Sequence, residues 1–303
     1  EKRPELLEKI ASEAARLQTM AANKIKKKPV ETKNDNKRAS IRHDLPLPLP
    51  PDLELHSIQA GSLEQIFSFI NPAMLYGKHL GLQGNIDTLL AAGDEKARKL
   101  YETVEAMKAE IITKNLLEAQ AVYRFLPCQA QGNDLLILDP KQKANTLETF
   151  HFQRQTGHAR LCLSDFCRDA SSGECDHIAF FVVTVGKGVR MLSEQWKNEG
   201  EYLRSHLIQS IAIEAAEGFA EWLHKKIRAD WGFADPKEMS VREVLKNKYQ
   251  GMRVSFGYPA CPDMSDQEKL FRLLDATKQT GVTLTEGHMM DPEATVSALV
   301  FHH

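Results

Sequence analysis

Apolar positions over residues 4–22 fall at helical spacing. Leu6, Leu7, Ile10, Ala14, Leu17 and Ala21 line one face behind Pro4, which suits a first turn. A lone helix of this length is marginal in water, so this one is expected to dock on another body. The pattern then stops. Over residues 23–44 the basic side chains Lys24, Lys26, Lys27, Lys28, Lys33, Lys37, Arg38 and Arg42 face only Glu31, Asp35 and Asp44. Eight minus three leaves five positive charges with few apolar residues, which is linker composition. DLPLPLPPDLEL, residues 44–55, continues it as a stiff extended spacer.

Folded structure is expected from near Gly61. Ser62-Leu63-Glu64-Gln65 has capping-box form and precedes Ile66, Phe67, Phe69 and Ile70, with an end near Asn71-Pro72. Leu100, Val104, Met107, Ile111 and Ile112 predict a helix over 94–118. Residues 121–139 read as a hairpin around Gly132-Asn133-Asp134. IAFFVVTVG, 178–186, is an unbroken apolar run and predicts a central strand. A long helix follows over 200–229, and two last strands are expected around Asp291-Pro292. VGKG, 185–188, fits neither phosphate-loop pattern and reads as a turn. Helices and strands mix without regular βαβ alternation. The fold class is therefore α+β, with helices around a largely antiparallel twisted sheet.

Composition narrows the function classes. A net charge of −2 gives no reason to expect nucleic-acid or anionic-membrane binding. No stretch approaches the roughly 18 apolar residues of a membrane span. The five cysteines are odd in number and irregularly spaced, which suits a reducing cytoplasm better than a disulfide framework. Cys162, Cys167, Cys175 and His177 lack a C-x2-C knuckle, so no metal site is expected.

Two stretches carry candidate chemistry. Glu214, Glu217 and Glu221 share one face of the long helix, amid apolar neighbours. Two readings stand: a solvated acidic stripe beside Lys225 or Lys226, or a cleft in which Glu217 meets a cationic ligand. Gly218 would let a backbone or ligand come close. The second stretch is RVSFGYPACP, 253–262. It is too irregular for a helix and too proline-rich for an inner strand. Arg253 offers a planar fork of donors suited to a carboxylate, and Tyr258 a flat face with a hydroxyl. The parts suit a zwitterion bearing a flat base.

YQGMRVSFGYPACPD (249–263) resembles the signature of the activation domain of cobalamin-dependent methionine synthase. AEGFAEWLHKKIRADWGF (216–233), RFLPCQAQGNDLLI (124–137), FQRQTGHARLCLSDF (152–166) and TGVTLTEGHMMDPEATVSALVFHH (280–303) resemble other segments of that family in the same order. The resemblance implies an S-adenosylmethionine-binding module over 61–303. It would cap a cobalamin-binding domain of the same polypeptide. With an electron from flavodoxin or a similar reductase, it would serve the reductive methylation of inactive cob(II)alamin. Residues 1–22 would then be the tail of that upstream domain, which holds the cobalamin, and 23–60 the tether. The chain would be a cytoplasmic, monomeric fragment of a methyltransferase that does not turn over alone.

By position, the resemblance assigns S-adenosylmethionine binding to Asn71, Glu217, Arg253, Val254, Ser255, Gly257, Tyr258 and Ala260. Tyr258, Pro259 and Met264 would face the cobalamin. It assigns no catalytic residue. Asn71 stands where some members carry aspartate, and Ser255-Phe256 where some carry Ala-Pro. The chain ends at His303, ahead of a tyrosine-bearing segment that helps close the family's ligand site. These departures support an alternative, a docking module for a corrinoid domain or flavodoxin that has lost the small ligand.

Overall fold

The computed structural model describes residues 41, 46–59, 61–155 and 160–303. The helix expected over 4–22 lies outside these residues, as does the basic tether apart from Ile41.

A seven-stranded sheet organises the chain. Its strands are β1 (Leu55–Ile58), β2 (Gln120–Gln131), β3 (Asp134–Leu138), β4 (Thr146–His151), β5 (Asp176–Thr184), β6 (Met252–Val254) and, after a small hairpin, β9 (Thr295–Phe301). The order is β4-β3-β2-β5-β9-β6, and β1 pairs with β2. Every pairing is antiparallel. β5 explains its own sequence. All nine of its residues are buried. Ala179, Phe181 and Val183 point into one core, and Ile178, Phe180 and Val182 into the other. A strand covered on both faces has no polar side to alternate with.

One face is covered by α1 (Leu63–Ser68), α2 (Ile86–Ala91), α3 (Glu95–Thr113), α4 (Val189–Asn198) and the 29-residue α5 (Tyr202–Asp230). Between α1 and α2 runs a π-helical segment, Ala73–His79. A short α6 (Val241–Val244) precedes β6; α7 (Asp266–Leu274) and α8 (Ala276–Thr280) cover the other face. The expected start signal at Ser62 is present, its side chain accepting from the Gln65 amide. The predicted helix over 94–118 is α3, capped by Asp94.

Two details depart from the sequence pattern. Leu55–Ile58 joins the sheet ahead of Gly61, with Leu55 opposite Arg124. The backbone of the preceding segment is tied down as well: the Trp231 indole donates to the Pro48 carbonyl at 3.0 Å and the Arg124 guanidinium to the Leu53 carbonyl at 3.0 Å. The strands flanking Pro292 also do not pair with each other. β8 (Met290–Asp291) pairs with β7 (Thr283–Leu284) in a separate two-stranded sheet, whereas β9 lies between β5 and β6.

Gly218 sets the approach of α5 to α1. A Cβ there would stand 2.9 Å from the Ile66 carbonyl oxygen and 3.2 Å from the Ile70 nitrogen. The close neighbour is another backbone, which cannot rotate away. Gly218→Val is expected to cost about 2–3 kcal/mol in urea unfolding. Gly218→Ala costs less, because alanine's helix preference of about 1 kcal/mol offsets part of the overlap. An unchanged midpoint for the valine variant would refute this packing.

Candidate functional site

β6 is an edge strand that places Arg253 opposite Val300 of β9. An edge tolerates the irregular chain that follows, since its outer side needs no partner. After β6 the loop is anchored from beneath. Phe256 is buried against Phe150, with ring centroids 6.3 Å apart. Cys261 is buried too, and burial pushes its thiol up to about 12. The Gly257 amide donates to the Cys261 carbonyl at 2.8 Å and the Cys261 amide to the Tyr258 carbonyl at 2.9 Å. Gly257 has φ +86°, and a Cβ there would lie 2.8 Å from the Met264 sulfur. Glycine alone meets both demands easily. The closed turn projects Tyr258, 63% exposed, and the exposed Pro259.

The acidic face of α5 is not a solvated stripe. Glu214 and Glu221 are 2% and 8% exposed. Lys226 pairs with Asp230 instead. His79 Nε2 lies 2.9 Å from Glu214 Oε1. Arg253 Nη2 donates to Glu221 Oε1 at 2.6 Å. Glu217, between them, keeps a half-exposed side chain with Oε2 3.8 Å from Arg253 Nη1. Burial raises the carboxyls of Glu214 and Glu221, against the opposing pull of His79 and Arg253 respectively.

Glu221 holds its proton to higher pH when folded than at its ordinary 4.5. Its contribution to stability is complete below that value and declines as pH rises through the folded one. The stability of the wild type minus that of Glu221→Gln should therefore fall as pH rises above the ordinary 4.5. Urea unfolding of both at stepped pH measures it, and a flat difference would contradict the assignment.

These parts meet in a cleft of about 330 Å³ lined by Asn71, Glu217, Glu221 and Tyr258, with Lys78 and His79 on its wall. Arg253 reaches it through Glu217 and Glu221. Asn71 also works locally: its side-chain oxygen accepts from the Ala73 amide at 3.1 Å, opening the π-helical segment. The other expected site residues lie beneath or beside the cleft. Val254 is buried, Ser255 half-buried, and Ala260 and Met264 pack on the core under the loop. Sequence reasoning missed Lys78 and His79. Nothing local marks them, because Glu214 is 135 positions from His79.

Behind the cleft lies a buried polar row. His224 is fully buried, flanked by Arg228 and Arg253, and its imidazole is held well below the usual range by burial first and by those charges second. It stands edge-on to Tyr249 at 4.9 Å. Arg228 packs over the same ring at 3.9 Å and makes two hydrogen bonds to Asp235.

Apart from Cys261 in the loop, the cysteines lie outside the site. Cys128 Sγ is 3.5 Å from Cys167 Sγ, while Cys162 Sγ is 3.2 Å from the Ser164 hydroxyl. Among the described residues no three His, Cys, Asp or Glu side chains are grouped to hold a metal ion, and no helix is long and apolar enough to cross a membrane.

Comparison with known proteins bears on the whole arrangement. The family described as "Vitamin B12 dependent methionine synthase, activation domain" matches residues 62–303. A methionine synthase of Mycobacterium tuberculosis is 28% identical over 301 residues, covering 93% of this chain and 24% of the relative. The chain thus spans about a quarter of that relative's length. A crystal structure of the MetH reactivation domain bound to AdoHcy aligns with a TM-score of 0.83 at 28% identity, over 91% of this chain and 86% of that one.

Proposed function

The chain belongs to the activation-domain family of vitamin B12-dependent methionine synthase, and from that premise we propose that its cleft binds S-adenosylmethionine and that its loop face caps a corrinoid domain of the same polypeptide during reductive methylation of cob(II)alamin. The observation that carries this reading is convergence. Asn71, Glu217 and Tyr258 come from three distant segments and line one cleft, which Arg253 adjoins through Glu217 and Glu221. The ligand carried by the similar crystal structure, AdoHcy, has the same adenosyl and amino-acid parts.

Each residue has a physical task. The Arg253 fork suits the ligand carboxylate. Glu217 is the half-exposed acid available to the ammonium and sulfonium. The Asn71 oxygen offers a neutral acceptor, weaker than a carboxylate would be. Backbone groups of Ser255, Gly257 and Ala260, with Val254 buried below them, suit the base edge. Tyr258 and Pro259 offer an exposed, largely flat surface that fits one face of a corrin, with Met264 supporting the turn from within.

The sulfonium is already an activated methyl donor, so no general base is required of these residues; their work is orientation and charge placement. A corrin held by the upstream domain supplies the methyl acceptor when docked. An electron comes from flavodoxin or a similar reductase. The module acts in the cytoplasm as part of a methyltransferase, is monomeric as this chain, and does not turn over alone.

Calorimetric titration of S-adenosylmethionine into the 303-residue chain tests the proposal. One saturable site per chain, shared competitively with S-adenosylhomocysteine, supports it. No heat from a well-folded chain would overturn it and favour a docking module without small ligand, a reading consistent with the neutral Asn71.

A further inference from the structure

Arg253 faces two carboxylates of opposite character. Glu221 is committed: its side chain is 11% exposed and its Oε1 accepts a hydrogen bond from Arg253 Nη2 at 2.6 Å. Glu217 is loose: its side chain is 52% exposed and its Oε2 stands 3.8 Å from Nη1, beyond hydrogen-bond range. Nη1 is buried and finds no hydrogen-bond acceptor among the described residues. A buried cationic donor without an acceptor is rare and points to a partner that arrives with a ligand. The two edges of the guanidinium are thus in different states, one clamped and one unmet.

We propose that Glu221 is a positioning residue: it clamps one edge of Arg253 from the rigid helix so that the other edge receives the ligand's carboxylate while Glu217 swings out to its ammonium. This rests on the binding reading above and adds the source of its geometry. Arginine has a long stem and would otherwise sample many rotamers. β6 fixes its backbone only, through pairing with β9. The clamp from α5 fixes the planar fork, which turns a flexible cation into a prepared one. Glu221 and the ligand carboxylate use different nitrogens, so the clamp does not compete with the ligand. His224, buried beside the two arginines, does not engage the guanidinium either: among the described residues neither of its ring nitrogens has a hydrogen-bond partner.

The loose pair then works as an exchangeable contact. A zwitterionic amino-acid group offers an anion to Nη1 and a cation to Glu217 together, whereas a ligand lacking the carboxylate satisfies only Glu217. The clamp should therefore matter in proportion to the carboxylate.

The test compares S-adenosylmethionine with its decarboxylated analogue by calorimetry, using the 303-residue chain as wild type, Glu221→Ala, Glu221→Gln, Arg253→Ala and the Glu221→Ala/Arg253→Ala pair. Glu221→Ala is expected to weaken S-adenosylmethionine about 10-fold and the analogue less than about 2-fold. Glu221→Gln, which keeps an acceptor at the same place, should recover most of the loss. In the Arg253→Ala background the Glu221 change should add nothing. If Glu221→Ala fails to fold, Glu221→Leu, similar in volume, carries the same comparison.

Equal losses for both ligands would reduce Glu221 to a general structural role and overturn the inference, as would tighter S-adenosylmethionine binding. If Arg253→Ala weakens binding and Glu221→Ala does not, the inference fails alone. If the wild type binds no S-adenosylmethionine, the binding reading fails and takes this one with it.

Discussion

Replacing Arg253 by alanine is expected to weaken S-adenosylmethionine binding about 100-fold, or about 2.7 kcal/mol, while leaving the fold in place. The size follows from the contact removed. A hydrogen bond to a charged group contributes about 1.5–3 kcal/mol, and the variant loses the fork that the carboxylate requires. The fold survives for an electrostatic reason. Arg253 is the main influence lowering the carboxyl of Glu221 against burial. Without it, Glu221 takes up a proton and becomes a buried neutral acid, so no bare charge is stranded. Arg253→Lys should recover only part of the affinity, since an ammonium is a point charge and cannot serve two edges at once. Calorimetry alongside circular dichroism measures both effects. A loss under about 3-fold for Arg253→Ala would show that the carboxylate is bound elsewhere.

The second large effect concerns stability. Asp235→Ala is expected to destabilise the chain by about 3–5 kcal/mol, a large share of the roughly 5–15 kcal/mol that such domains possess. Arg228 is fully exposed to no solvent, at 0% side-chain accessibility, and Asp235 stands at 2%. Their two hydrogen bonds are 2.8 and 2.6 Å long. Arg228 cannot shed its proton as Glu221 can gain one, because a guanidinium stays charged at any pH of interest. Its other contacts, the Tyr249 ring and the neutral His224, do not replace a counter-ion. Arg228→Met combined with Asp235→Ala should regain most of the loss by removing the charge with its partner. Urea unfolding of the wild type and the two variants decides the matter; a loss below about 1 kcal/mol for the single variant would mean that water reaches Arg228.

The contrast between these two arginines bears on how much of the molecule was legible beforehand. Both were visible as residues of recognisable segments, 216–233 and 249–263. Their pairings were not. Asp235 lies seven positions from Arg228, beyond the end of α5, where no helical spacing applies. Glu221 lies 32 positions from Arg253. The loop itself was readable because its demands are local: positive φ at Gly257, fixed prolines, and a turn closed within five residues.

The sequence by itself determined the α+β class, the central strand within 178–186, the hairpin within 121–139, the long helix and the loop with its arginine and tyrosine. Each depends on periodicity or turn chemistry that neighbouring residues enforce on one another. Only the tertiary structure decided that Leu55–Ile58 enters the sheet, that Met290–Asp291 turns away from β9, that Gly218 serves a neighbouring backbone, and that two of three glutamates on one face are buried against His79 and Arg253 while the third stays half-exposed and loosely paired. The physical reason is that burial and charge pairing depend on which elements cross. His79 and Arg253 reach α5 from opposite ends of the chain, and no local pattern records where they arrive.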